Sequence, residues 1–257
     1  MERNKECFDL KDASEALPHT SYSALKELLS AMTKRGLLMR VKRGTYFIIP
    51  YEEDPTSYMP NWHLLAEALV KNEAHYIAYY SALQIHELIT QASLLEQVVV
   101  AKQVTPSTKT IKGVRFQFIY HKPDRFFGWK NKWIDPYHRV HCSDLEKTFV
   151  DCLLSPAKGG GIVEISKALA QAKNRIDHDK FLNYIRRIGS QAVIKRAGFL
   201  LEVFDIHTTD IISDLRNMMT PSSVLLDPEL PHKGKWVGRW HILQNLDMET
   251  LYSSLGT

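Results

Sequence analysis

Residues 10–50 constrain the fold of this chain more than any other stretch. Asp9 is a natural N-cap for a first helix, with Ala13, Ala16 and Leu17 as its apolar side, and Pro18 stops it. Thr20 or Ser21 then caps a second helix. There Ala24, Leu25, Leu28, Leu29 and Met32 recur at i, i+3, i+4 spacing, which predicts an inward face. Tyr22, Ser23, Lys26, Glu27 and Ser30 fall on the outward face, and Gly36 ends the helix. Residues 37–41 and 45–49 are rich in β-branched and aromatic types, and Lys42-Arg43-Gly44 joins them as a hairpin tip. Two short helices followed by a basic hairpin outline a winged helix-turn-helix. Such a module sets one helix in a DNA major groove and lays the hairpin on the adjoining phosphates.

Physics then assigns roles on double-stranded DNA. Ser21, Tyr22 and Ser23 open the second helix, where free N–H groups and the helix dipole favour a phosphate. Tyr22, Ser23 and Lys26 are placed to reach base edges, and Arg40, Lys42 and Arg43 to hold flanking phosphates. The competing reading is a winged helix that docks on protein. In that case the hairpin charges are solvated and only blunt an edge strand.

The remaining chain decides the domain organisation. At 257 residues two domains are expected: the winged helix at 1–50, a linker at 51–60 and a larger domain at 61–257. Residues 50–60 hold three prolines and three acids, which predicts a segment that buries little and separates two cores. Asn61 caps a helix running to about residue 71, and another follows at 81–87. Strand candidates lie at 97–101 and 114–120, separated by a Thr/Pro/Lys-rich turn, with shorter ones between 126 and 142. Ser143 with Glu146 three residues on reads as a capping box opening a helix at 144–154. Helices at 163–172, 179–188, 192–204 and 210–218 come next, then a proline-punctuated tail with a strand candidate at 236–243. The expected class is α+β: a winged helix, then a mixed domain with a central, mostly antiparallel sheet and a helical C-terminal half.

Composition narrows the function. No apolar run approaches the length of a membrane span, and the N-terminus lacks the apolar stretch of a secretory signal. Cys7, Cys142 and Cys152 have no framework spacing, which fits a reduced, cytoplasmic protein. The net charge of +4 permits nucleic-acid binding without demanding it. A second basic cluster comprises Lys173, Arg175, Lys180, Arg186, Arg187, Lys195 and Arg196. It reads as a solvated helical face or as a patch for DNA or an acidic partner.

His138, His141 and Cys142 suggest a metal, but zinc needs a fourth ligand and no Cys-x-x-Cys pair supplies one. On a strand His138 and Cys142 share one face and His141 takes the other. Glu146-Lys147 is a superficial match to a nuclease carboxylate–lysine site, and the glycine run at 159–161 lacks the Lys-Ser/Thr of a P-loop. No catalytic residue, metal or cofactor is therefore expected.

Three stretches together resemble the AbiEi antitoxin family of type IV toxin–antitoxin systems. They are the winged helix ending Lys42-Arg43-Gly44-Thr-Tyr, the run from Tyr76-Ile-Ala-Tyr-Tyr-Ser through His86-Glu-Leu to Gln91, and Cys142-Ser-Asp-Leu-Glu-Lys through Pro156 with the following Gly159-Gly-Gly-Ile. The resemblance covers most of the chain and departs at Glu87, where it leads one to expect glycine. It implies a non-enzymatic protein whose winged helix binds inverted repeats in its own promoter. It also implies a C-terminal domain that supports repression and counteracts a nucleotidyltransferase-like toxin, in phage defence, without requiring a stable complex with it.

Overall fold

A computed structural model describes residues 6–89, 91, 93–206 and 209–253. The first five residues of the N-terminus and Thr90 of the second resembling stretch lie outside the described residues. The chain opens with β1 (Cys7–Asp9), α1 (Leu10–Ala16), α2 (Tyr22–Lys34), β2 (Leu38–Lys42) and β3 (Thr45–Ile48). Asp9 caps α1 as its sequence suggests. Its carboxylate accepts from the N–H groups of Lys11 and Asp12, and Asp12 returns the bond to the Asp9 N–H. Ser21 caps α2 by accepting from the Ala24 N–H. The three strands form an antiparallel sheet in the order β1-β3-β2. Three residues are too few for periodicity to reveal, so β1 has no sequence signal.

The inward face of α2 is narrower than its spacing predicts. Leu25 and Leu29 are buried against Ala13, Leu38 and Tyr46, with Met32 packed alongside. Ala24 is exposed, as are Leu28 and Leu17 at 42% and 41%. Ala16 is exposed too. Two short helices on a three-stranded sheet cover only one side of α2.

Next come α3 (Trp62–Val70), β4 (His75–Ile77), α4 (Tyr79–Ile85), β5 (Leu95–Val100), β6 (Thr108–Ile111), β7 (Val114–Tyr120), β8 (Trp129–Trp133) and β9 (Arg139–Ser143). The strands make a six-stranded sheet in the order β6-β7-β5-β4-β9-β8, with three antiparallel and two parallel neighbours. Strand β6 lies in the stretch that reads as a turn. Its polar residues suit an edge, where only half of each strand needs apolar cover.

The helical half is α5 (Leu145–Leu154), a 3-10 turn at Pro156–Gly159, α6 (Gly161–Gln171), α7 (His178–Ile188), α8 (Gln191–Val203) and α9 (Thr209–Asn217). It closes with β10 (Val224–Leu225), β11 (Lys235–Val237), β12 (Ile242–Gln244) and α10 (Met248–Ser253). The expected strand at 236–243 is thus two strands with a turn between them. The protein is α+β, with a mixed, mostly antiparallel central sheet and a helical C-terminal half.

Helix α5 is buried along nearly its whole length, so its polar groups must be paired. Lys147 is bonded to Asp151, and Thr148 to Ser143. The capping box sits differently from its reading. Asp144 is the N-cap, accepting from the Lys147 N–H, while Ser143 turns to Thr148. Glu146 accepts from the Asp177 N–H and pairs with Lys180, so it braces α7 instead of capping its own helix.

The segment at 50–60 does not divide the packing cleanly, for the winged helix keeps a small cluster of its own around Leu25 and Leu29 but shares a second with the rest. Val41 and Phe47 of the winged helix share one apolar cluster with Leu65, Ala66 and Ala68 of α3 and with Val98 and Phe116 of the central sheet. Tyr58 is buried, and Lys112 donates to the carbonyls of Pro55, Thr56 and Tyr58. The prolines and acids limit secondary structure there, but they do not prevent packing.

Candidate nucleic-acid interface

Helix α2 and the hairpin β2–β3 enclose a groove of about 340 Å³. Tyr22, Lys26, Ser30 and Thr33 line it from α2 at one helical face, followed by Lys34. Arg40 and Arg43 line it from the hairpin. The groove therefore carries four cations on one concave surface. Among the described residues none of the four is in an ion pair; Lys26 alone is engaged, over the Tyr22 ring at 4.1 Å. Unpaired cations converging on a groove raise the local anion concentration and leave their donors free. Ser21 and Ser23 lie at the exposed start of α2 and bond one another through their hydroxyls at 3.2 Å.

Lys42 does not join this set. Strict alternation would place it on the face of Arg40, but a bulge between Arg40 and Lys42 inserts Val41 as an extra residue. Val41 turns into the shared core, and Lys42 donates to the Leu69 carbonyl at 2.8 Å, at the last turn of α3. Burial lowers the Lys42 pKa, as expected for an ammonium held away from water. Lys34 takes its place in the groove. Its position eight residues after Lys26 was the available signal.

The second basic cluster dissolves in the same way. Lys195 donates to the carbonyls of Thr220 and Ser222, and Arg196 to those of Leu153, Leu225 and Leu226. Both side chains are buried. Lys180 bridges Asp144 and Glu146, Arg186 pairs with Asp214, Arg175 donates to the His86 carbonyl, and Arg187 covers the Phe127 ring. Of the seven, Lys173 alone has no side-chain partner among the described residues. These cations hold helices together, and among the described residues they form no continuous basic face. The Glu146-Lys147 pair resolves likewise, since one braces α7 and the other is buried on Asp151.

A solved structure shares this fold. The Rv2827c protein of Mycobacterium tuberculosis aligns over 100% of this chain and 92% of its own, with a TM-score of 0.70 and 12% identity. The likeness to the mycobacterial protein is one of architecture. No protein family and no curated protein matches the sequence.

The metal trio read from sequence is not brought together. Cys142 is buried among Ile77, Ala82 and Ile85, while His138 bonds Asp135. His141 instead meets Glu67, whose carboxylate accepts from the His141 N–H at 2.7 Å and lies 3.0 Å from Nδ1. No helix of the described residues is long and apolar enough to cross a membrane.

Proposed function

We propose that this protein is a sequence-specific binder of double-stranded DNA that represses its own promoter and acts as the antitoxin of a nucleotidyltransferase-like toxin. The role is cytoplasmic and non-enzymatic. The groove between α2 and the hairpin carries the DNA half of this reading: Lys26, Lys34, Arg40 and Arg43 face outward together with no acidic partner among the described residues. In a major-groove docking Tyr22, Ser23 and Lys26 approach base edges, and Arg40 and Arg43 hold the phosphates beside them.

The antitoxin half rests on the resemblance. One conformational detail agrees with it: Glu87, where glycine is expected, has φ +61°, a conformation that suits glycine. The exposed Leu17 and Leu28 favour the second reading, a winged helix that docks on protein.

Binding of the full chain to its upstream region and to a scrambled duplex, at one salt concentration, tests the first reading. Substituting Tyr22 or Lys26 is expected to lower the specific affinity by about 1–3 kcal/mol more than the non-specific one. Equal affinity of the unaltered chain for both duplexes contradicts it. Co-expression with the gene of a neighbouring nucleotidyltransferase-like protein, scored by growth, tests the antitoxin half. Persistent toxicity contradicts that half.

A further inference from the structure

We propose that Glu67, His75 and His141 bind a divalent transition-metal ion of the zinc class at the seam between the winged helix and the central sheet. The three come from α3, β4 and β9, and their ligand atoms all lie within 4.8 Å of one another. Ligands on one tetrahedral zinc stand roughly 3.4 Å apart, given metal–ligand bonds near 2.1 Å. Small side-chain adjustments close that difference.

The hydrogen bonding of His75 points to a ligand. Its Nδ1 lies 2.6 Å from the Glu73 carbonyl, an acceptor, so Nδ1 bears a proton and Nε2 is the nitrogen left to face Glu67, with a lone pair to offer whenever the ring is neutral. That Nε2 is 3.2 Å from Glu67 Oε2 and is buried without a hydrogen-bond partner. His75 as a whole is 7% exposed. A buried nitrogen facing a carboxylate oxygen needs either a proton or a metal ion between them, and the second imidazole beside them favours the metal. A ring whose second nitrogen is fixed by a backbone carbonyl is the usual outer-shell arrangement of a metal-bound histidine.

The rings of His75 and His141 meet edge to face at 5.2 Å, and Trp129 packs on His141 at 5.3 Å. Metal binding at His141 Nδ1 releases the proton this nitrogen shares with Glu67. Two imidazoles and a carboxylate suit zinc, cobalt or nickel better than calcium or magnesium. The site opens on a cavity of about 300 Å³ that Cys7 and Phe47 line from the winged helix and His138 from the loop before β9. A bound ion therefore has room for an outer ligand and stiffens the junction of the two parts. The site is independent of the DNA reading.

The test is titration of the full chain, stripped by a chelator, with Co²⁺ and then Zn²⁺. One Co²⁺ per chain is expected, with the visible absorption of a low-coordinate ion, displaced by Zn²⁺ and accompanied by a rise in melting temperature. His75→Ala and His141→Ala are each expected to weaken binding by at least ~10-fold. The exposed His232→Ala is expected to leave it unchanged. If His75→Ala does not fold, His141→Ala carries the comparison, because its ring is 37% exposed. No saturable binding to the unaltered chain, or binding undiminished in the folded variants, overturns the proposal and leaves a proton between His75 and Glu67.

Discussion

At the scale of single residues, backbone conformation and burial decide more than residue type. Glu87 is exposed and left-handed, with φ +61°, so its side chain contributes strain and buries nothing. Glu87→Gly is expected to stabilise the protein by about 1 kcal/mol in urea denaturation. His121 is the opposite case, held between the hydroxyls of Tyr76 and Tyr79. Burial pushes its pKa down to about 4, from about 6.5 in an unfolded chain. Between those values the unfolded chain binds a proton that the folded one refuses, so stability falls as pH falls. The stability of the unaltered chain relative to His121→Gln should therefore drop by about 1.4 kcal/mol per pH unit between 6.5 and 4, and level off above 6.5. A difference that does not vary with pH would refute the assignment.

At the scale of elements, helices with strong local signals were legible and tertiary choices were not. Asp9, Ser21 and Asn61 cap the helices their positions suggest, because a cap needs only its own neighbours. Lys42 was misplaced because the bulge at Val41 is set by the core it fills, which no local pattern announces. Lys195 and Arg196 sit at ordinary helical spacing. Only the chain passing over α8 at 220–226, with the Leu153 carbonyl behind Arg196, reveals that they are buried. Placement followed the same division: Tyr22, Lys26, Arg40 and Arg43 share one groove as their positions suggest, Lys34 joins it without having been read, and Glu67 and His75 were invisible beside His141. Lys42→Ala should therefore lower stability, by about 1–3 kcal/mol for a carbonyl deprived of its donor, while leaving DNA affinity nearly unchanged.

At the scale of the whole molecule, the winged helix is welded to the rest through α3. Phe47 is fully buried in the cluster that α3 and the central sheet share. Phe47→Ala is expected to cost about 3–5 kcal/mol and to lower the melting of the entire chain in one transition. Two transitions, with only the first displaced, would show separate cores. The same cluster ties the hairpin that lines the groove to α3 and the central sheet. On the proposed reading the free cations of this groove hold the phosphates of DNA. The most direct measurement is duplex affinity against salt concentration for the unaltered chain, Arg40→Ala with Arg43→Ala, and Lys42→Ala. The double variant should flatten the slope of log affinity against log salt by about 0.9 for each phosphate it no longer neutralises, and Lys42→Ala should leave the slope as it is. An unchanged slope in the double variant, or a flattened one in Lys42→Ala, would contradict the assignment.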